Sequence, residues 1–129
     1  MATRRNLEVT TDRARRPNPV SDCPLTAALA AIGGKWKLIV IFWLAEAPRQ
    51  FLALQRLMPR ISRKVLTEQL RELIADGIVL QVRTGRAPAP VVYSLTAYGR
   101  SVLPIAESVR RWGRRHIERF SQFAATRRG

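Results

Sequence analysis

The side chains best suited to chemistry lie in one segment, residues 61–77, with the sequence ISRKVLTEQLRELIADG. At about 100° per residue, its apolar side chains share one face of a helix and its polar side chains share the opposite face. The outward polar residues are Ser62, Arg63, Lys64, Thr67, Glu68 and Arg71. Such side chains form hydrogen bonds with phosphates and base edges. Most polar helix faces are only solvated, so the neighbouring elements decide whether this one contacts a ligand.

The same segment carries signals that begin and end a helix. Ser62 is a favourable N-cap, and Ile61 and Leu66 occupy positions where two apolar residues pack across a helix start. Gly77 follows Asp76, where a left-handed residue commonly ends a helix. We therefore predict a helix that is buried on one side and exposed on the other.

Cys23 and His116 are each the only residue of their type. Cys23 precedes Pro24 at a predicted helix start, which favours the thiolate, whereas Asp22 disfavours it. A single cysteine excludes an intrachain disulfide and fits a reducing compartment. We expect either a reactive thiol or an inert, half-buried one.

No catalytic site, cofactor or metal is expected. His116 lies in an apolar pattern without a second His or Cys, which favours a packed or interfacial side chain. Gly33 and Gly34 lack the further glycines and the preceding strand of a phosphate-binding loop. The sequence offers no paired carboxylates for acid–base chemistry. The protein is therefore not expected to be an enzyme.

The composition fits one domain of 129 residues with a net charge of +14. This charge favours nucleic acid as a partner over a membrane. Residues 1–20 and 110–129 carry 12 of the 23 basic and 3 of the 9 acidic residues. The excess is therefore mostly in the tails, which supports nonspecific attraction more than specific reading.

The sequence predicts no membrane segment and no secretory signal. The longest apolar run, Leu38–Ala45, has eight residues, well below the roughly 18 needed to cross a bilayer. No apolar stretch follows the N-terminal arginines. We expect a cytoplasmic protein.

The first third of the chain predicts an arm and two helices. Residues 1–20 lack periodicity and are predicted to be a disordered basic arm. Pro24 opens a short helix that ends at Gly33 and Gly34. The run KWKLIVIFWLAEA, residues 35–47, is apolar nearly all round and predicts a buried helix ended by Pro48. Its aromatic residues, expected in the core, are Trp36, Phe42 and Trp43.

A supporting helix and a hairpin flank the segment at 61–77. Phe51–Met58 is amphipathic, and Ile78–Arg83 and Val91–Leu95 alternate with the period of half-buried strands. Between the strands, TGRAPAP suits a stiff wing from which Arg83 and Arg86 could reach phosphate or a minor groove. Helix, turn, helix and hairpin, in this order, predict a winged helix-turn-helix, an α+β and mainly helical fold.

The last predicted helix follows Thr96 as its cap, and Pro104 is expected to kink it. Its apolar seam consists of Val102, Ile105, Val109, Trp112, His116, Phe120 and Phe123. One small core cannot cover so long a seam, so we infer a homodimer joined by the same helix of a second subunit. Val109, Trp112, His116 and Phe120 are the predicted dimer contacts.

With these residues in view, the sequence resembles the HxlR family of winged-helix transcription regulators, relatives of the MarR group. The matching segments, in chain order, are CPLTAALAAIGGKWK, PRQF, LMPRIS, LTEQLRELIADGIV and VVYSLTAYGRSVLPI. They cover residues 22–113, so residues 1–20 and the basic extension 114–129 lie outside the resemblance.

The resemblance implies a cytoplasmic homodimer that binds double-stranded DNA. The family pattern places Ser62, Arg63, Lys64, Thr67 and Glu68 in the major groove, and some members sense oxidants at the position of Cys23. The departures from the pattern are Leu52 and Ala53 in the supporting helix, Val92 in the wing, and Ala97 and Tyr98 after Thr96. None lies on the proposed reading face.

Three functions remain open. The first is a sequence-specific regulator, a repressor, whose two recognition helices lie about 34 Å apart on an inverted repeat. The second is a basic RNA-binding or nucleoid protein, and the third is a winged helix that binds only protein. The effector is either a thiol-reactive agent at Cys23 or a small ligand between the last helix and the core.

Overall fold

The computed structural model describes residues 23–83, 85–86 and 88–128. The arm predicted for residues 1–20, together with Asp22, lies outside the described residues. In chain order, the elements are α1 (Pro24–Ile32), α2 (Lys37–Glu46), β1 (Arg49–Gln50), α3 (Phe51–Arg56), α4 (Arg63–Ala75), β2 (Val79–Arg83), β3 (Val91–Leu95), α5 (Ala97–Arg100) and α6 (Leu103–Arg128). This order confirms the predicted mainly helical winged fold.

Helix α4 forms as its sequence predicts. The Ser62 hydroxyl accepts a hydrogen bond from the Val65 amide at 3.1 Å, and Gly77 ends the helix with φ of 73°. The core residues that α4 contributes are Leu66, Leu70 and Leu73, each at most 2% exposed. One face is thus fixed in the core while the opposite face stays in solvent.

Helix α2 is less buried than its sequence predicts. Its buried apolar residues are Val40, Ile41 and Leu44, and Trp36 and Trp43 pack half-buried against the same core. Ile39 and Phe42 are 39% and 41% exposed. The expectation that α2 is buried all round, with Phe42 in the core, is therefore wrong. The outer side of α2 faces α6, which covers only part of it.

The wing belongs to a three-stranded antiparallel sheet with the order β1-β3-β2. The β2–β3 hairpin was predicted, whereas β1 has only two residues and is too short to show a periodic pattern. In β2, Val79 is buried and Leu80 is 51% exposed. The alternation predicted a strand correctly, but the packing against α4 sets which side chains face inward.

A junction around Thr96 joins the end of α4, the sheet and α5. The Thr96 hydroxyl donates to the Gly77 carbonyl at 2.6 Å and accepts from the Gly99 amide at 2.8 Å. The Thr96 amide donates to the Ile78 carbonyl at 3.1 Å. A Cβ on residue 99 would collide with that same carbonyl oxygen, so only glycine allows this close approach.

The C-terminal region contains two helices where one kinked helix was predicted. Thr96 caps the short helix α5, as expected, and the chain turns at Ser101 and Val102 before α6 begins. Pro104 lies in the first turn of α6, where the missing N–H would have had no helical partner. The predicted kink at Pro104 is therefore wrong. Val102 is buried and anchors the start of α6 in the core.

Within the part of the chain that the structure describes, no single helix is long and apolar enough to cross a membrane. Helices α1 and α2, bent by 66° relative to each other, meet that test only as a pair, and by length and composition alone. Helices from the core of a globular fold meet the same test.

The junction predicts a specific sensitivity at Thr96. Thr96→Val keeps the side-chain shape but leaves the Gly77 carbonyl and the Gly99 amide without the hydroxyl. We expect the free energy of unfolding to fall by about 1 to 2 kcal/mol, as for the loss of a helix cap. Thr96→Ser retains the hydroxyl and should change the free energy of unfolding by less than about 0.5 kcal/mol. Urea unfolding followed by tryptophan fluorescence measures both, and equal losses would show that the hydroxyl does not hold the junction.

Candidate nucleic-acid interface

The exposed face of α4 brings the predicted DNA-binding residues of this segment together. Five of them line one shallow concavity: Arg63, Lys64, Thr67, Glu68 and Arg71. All five, and Ser62 before them, are exposed. The surface offers three cations, one carboxylate and two hydroxyls within three helical turns. It has the donors and acceptors that contact phosphates and base edges.

The N-terminus of α4 adds backbone donors to this face. The first intrahelical hydrogen bond runs from the Leu66 amide to the Ser62 carbonyl at 3.0 Å. The amides of Arg63 and Lys64 precede it and have no carbonyl within the helix to bind. Helix N-termini carry partial positive charge and bind phosphate for this reason. The helix start is thus able to position a phosphate group.

Two outward side chains of α4 have defined orientations. The Arg63 guanidinium lies over the Phe51 ring, 5.5 Å from its centroid, so a residue of α3 orients a residue of α4. The Thr67 hydroxyl donates to the Arg63 carbonyl at 2.8 Å. Its hydrogen is therefore used within the helix, and the oxygen can act outward only as an acceptor.

The two wing arginines differ in their surroundings. The Arg83 Nη1 donates to the Ala89 carbonyl at 3.4 Å and so ties the two sides of the wing loop together. Arg86 is exposed beside Gly85, whose φ is 81°. Thr84 and Ala87 lie outside the described residues. The wing therefore exposes Arg86 to solvent, while Arg83 also has a bracing role.

Cys23 is exposed at the N-terminus of α1. Its thiol accepts no capping hydrogen bond of ordinary geometry. The backbone amides of Thr26 first, and of Leu25 second, nevertheless lower the pKa of the thiol below its usual value, because their dipoles favour the thiolate. The expectation that the thiol is half-buried is wrong, since this side chain is open to solvent.

Helix α6 exposes most of the predicted seam. Val109, Trp112 and Phe120 are 50 to 65% exposed, and His116 is exposed between the two aromatic rings. The Trp112 and His116 rings stack at 4.9 Å, and His116 meets Phe120 edge-on at 5.6 Å. Ile105, Ile117 and Phe123 extend this apolar surface. The described residues thus leave a large apolar stripe uncovered.

Charge along α6 is strongly unbalanced. The helix contains seven arginines and two glutamates. Arg110 donates two hydrogen bonds to Glu107, at 3.0 and 2.8 Å, and thereby lowers the pKa of that carboxyl. Among the described residues, no ion pair holds Arg111, Arg114, Arg115 or Arg119. These four guanidinium groups remain open to solvent and to anions.

An apolar groove separates α2 from α6. The residues that line it are Leu38, Ile39, Phe42, Ala106, Val109 and Arg110. It lies between the last helix and the core, where the sequence argument placed a ligand pocket. Because Arg110 is bound to Glu107, the groove offers mainly apolar contacts.

Sequence reasoning missed two cations with structural roles. Lys37 is buried at the start of α2, and Arg49 donates to the Trp43 carbonyl at 3.1 Å and to Glu46 at 3.0 Å. Arg49 thereby fixes the connection between α2 and β1. The only signal for Lys37 was a charge inside an otherwise apolar run, which does not reveal its partners.

Helices α3 and α4 followed by the β2–β3 hairpin form a winged helix-turn-helix, which is a DNA-binding fold. The HxlR-like helix-turn-helix family matches residues 31–121, and the chain belongs to this family. The resemblance seen in the sequence motifs is thereby confirmed. The match extends beyond residue 113 into the basic part of α6.

Similar proteins support the same class. The chain is 43% identical over 93 residues to the HTH-type transcriptional regulator YtcD of Bacillus subtilis (strain 168), covering 72% of this chain and 74% of YtcD. The redox regulator HypR in its reduced form aligns with a TM-score of 0.72 and 37% identity, over 78% of this chain and 99% of HypR. The oxidized form of HypR aligns with a TM-score of 0.68 and 41% identity, over 71% of this chain and 95% of HypR. The chain therefore belongs to a class of DNA-binding transcription regulators.

Proposed function

We propose that the protein is a repressor that binds an inverted-repeat operator as a homodimer in the cytoplasm. The observation that carries this proposal is the exposed face of α4. Its outward polar side chains lie on a helix whose opposite face is fixed in the core. A reading surface on a rigid element can discriminate between sequences, because the positions of its donors are fixed before DNA binds.

The side chains of this face have distinct proposed roles. Arg63 and Lys64 would read base edges, where cations pair with guanine, and Glu68 would accept from a cytosine amino group. Thr67 presents a methyl group and an acceptor oxygen. Ser62 and the amides at the helix start would hold a phosphate. The remaining proposed phosphate or minor-groove contacts are Arg71, Arg83 and Arg86.

The exposed seam of α6 supports the homodimer. Large exposed apolar surfaces usually mark interaction sites, and Val109, Trp112, His116 and Phe120 form such a surface here. Joining two copies along α6 would present two α4 helices to successive major grooves, about 34 Å apart. We accordingly propose a winged-helix domain at residues 21–113, a basic extension at 114–129 and a basic arm at 1–20.

The open arginines of α6 favour a second candidate, nonspecific binding of nucleic acid by the basic extension. Such binding depends on phosphate contacts and ignores sequence. Competition separates the two functions. If the first holds, fragments selected from a random DNA pool resist displacement by excess random DNA or RNA. If the second holds, no sequence is enriched and any nucleic acid displaces any other.

Substitutions on α4 and in the wing test the reading face. We expect Arg63→Ala and Lys64→Ala to reduce affinity for the selected operator by about 1 to 3 kcal/mol each, with much smaller losses on random DNA. Arg86→Ala should lower the affinity for both kinds of DNA to a similar extent, because the proposed contact of Arg86 is with phosphate or a minor groove. Fluorescence anisotropy at fixed salt measures both affinities. Equal losses on both DNAs for all three variants would show that α4 is not the reader.

Substitutions in the seam test the dimer. Phe120→Asp places a charge in the proposed interface, and Trp112→Ala removes one of its largest side chains. Both should shift the protein from dimer to monomer or aggregate in analytical ultracentrifugation and weaken operator binding. Ser121→Asp adds the same charge at an exposed neighbouring position away from the seam, and should remain dimeric. Intact dimers of Phe120→Asp and Trp112→Ala would contradict the assignment.

We also propose that Cys23 is the sensor of a thiol-reactive effector. Its exposure and lowered pKa favour the reactive thiolate, and the similar protein HypR is described as a redox regulator. The oxidised or alkylated form would change operator affinity by favouring one dimer geometry over another. The rival effector is a small apolar ligand in the groove between α2 and α6.

Because the folded protein lowers the pKa of Cys23, more thiolate is present at neutral pH than in the unfolded chain. An electrophile should therefore modify folded protein with a pH midpoint below that of an ordinary cysteine, about 8.5. The modified protein should lose operator affinity, whereas Cys23→Ser should bind normally and not respond. Mass spectrometry follows the modification, and anisotropy follows binding. An identical response of both proteins would exclude Cys23 and leave the groove as the candidate effector site.

A further inference from the structure

Lys37 is the one buried charged side chain among the described residues. It lies in the first turn of α2, and its Nζ donates to the Ala30 carbonyl of α1 at 3.4 Å. The same Nζ lies 4.0 Å from the Glu72 Oε2 of α4. One ammonium group therefore contacts the short helix that begins at Cys23 and the helix that carries the reading face.

The partners of Lys37 explain why a charge is accepted there. Ala30 lies among the last four residues of α1, whose carbonyls have no amide donor within the helix and form its partially negative end. Glu72 supplies a full negative charge, and the Gln69 side chain donates to the same Oε2 at 3.4 Å. The Ala30 carbonyl and the Glu72 carboxylate thus take the place of the water that the ammonium group loses on burial.

Stability alone does not account for this arrangement. Burying an ammonium group costs several kcal/mol, and apolar side chains of similar volume often serve as well or better. What an apolar side chain does not supply is a directional contact. The contacts of Lys37 specify where the end of α1 and the last turn of α4 lie relative to the start of α2.

Helix α1 has few other contacts that could do this. Ile32 is its one buried residue, while Leu25 and Leu29 are 66% and 59% exposed. On α4, Glu72 follows Arg71 and lies one turn beyond Glu68, both on the proposed reading face. A change in the position of Glu72 would therefore also move the side chains proposed to contact DNA.

We propose that Lys37 is a positioning residue for DNA recognition, which fixes α4 relative to α1 and links the helix of Cys23 to the reading face. The DNA-dependent part rests on the proposed function. The link itself belongs to the free protein and is tested without DNA. Lys37 touches no DNA in this mechanism and acts only through Glu72 and Ala30.

The test compares Lys37→Met with Lys35→Met. Methionine fills the space of the buried lysine stem without its charge. Lys35 lies two residues away, is exposed, and stacks over Trp36 at 4.9 Å, so its substitution makes the same change in net charge without touching α1 or α4. Glu72→Gln removes the charge of the partner and keeps its shape. This variant decides the question if Lys37→Met does not fold.

The first readout is amide hydrogen exchange of the free protein. Lys37→Met should speed exchange in α1 by about fivefold or more, while the amides of α4 that face the core keep their wild-type rates. Lys35→Met should match wild type throughout. Wild-type exchange in α1 for both Lys37→Met and Glu72→Gln would overturn the link. Faster exchange throughout Lys37→Met would indicate only a general loss of stability. In that case Glu72→Gln decides: faster exchange confined to α1 supports the link, and any other result overturns it.

The second readout is the ratio of operator affinity to random-DNA affinity. Lys37→Met should lower operator affinity by about 5- to 30-fold, the upper part of the roughly 2- to 30-fold range found for residues that act through others. Both lysine variants lose one positive charge. The random-DNA affinities of Lys37→Met and Lys35→Met should therefore differ by less than about twofold. An unchanged ratio would overturn the role in recognition. If wild type itself selects no operator, the proposed function fails, while the exchange data still decide whether Lys37 holds α1 and α4 together.

Discussion

The junction at Thr96 is the constraint on which the geometry of the DNA-binding unit depends. The Thr96 hydroxyl contacts the Gly77 carbonyl at the end of α4 and the Gly99 amide in the first turn of α5, and the chain at Gly99 approaches the Ile78 carbonyl too closely for any side chain. Four elements meet within this contact: the end of α4, both strands of the wing and α5. Helix α4, the wing and the start of the C-terminal region are thereby fixed relative to one another.

Local sequence signals predicted much of this fold because their causes are local. The start of α4 depends on Ser62 and residues up to Leu66, and its end depends on Gly77. Thr96 was recognised as a cap for the same reason. Its second contact, to a carbonyl 19 residues earlier, depends on tertiary structure and has no periodic signature. The two-residue strand β1 was missed because it exists only by pairing with β3.

Periodicity indicates which side chains share a face, but it does not indicate whether another element covers that face. This distinction explains why the exposed face of α4 was predicted correctly and why Phe42 was wrongly expected in the core. The outward face of α4 follows from helical phase and one buried stripe. The outer face of α2 is equally apolar, yet α6 covers it incompletely, so Phe42 lines a groove. Lys37 was missed for a related reason, since its partners lie 7 and 35 residues away.

The length of α6 gives the molecule a mechanical property. Its 26 residues span about 39 Å as a helix, and its packing against the rest of the chain is at its N-terminal end, on α2. Each degree of tilt at that contact displaces the far end by about 0.7 Å, as the helix length dictates. In a dimer joined along this helix, a small rotation at the α2–α6 groove is amplified into a shift comparable to the spacing of neighbouring base pairs. In the proposed homodimer, helix α6 would therefore act as a lever arm whose pivot is the apolar groove and whose movement changes the separation of the two α4 helices.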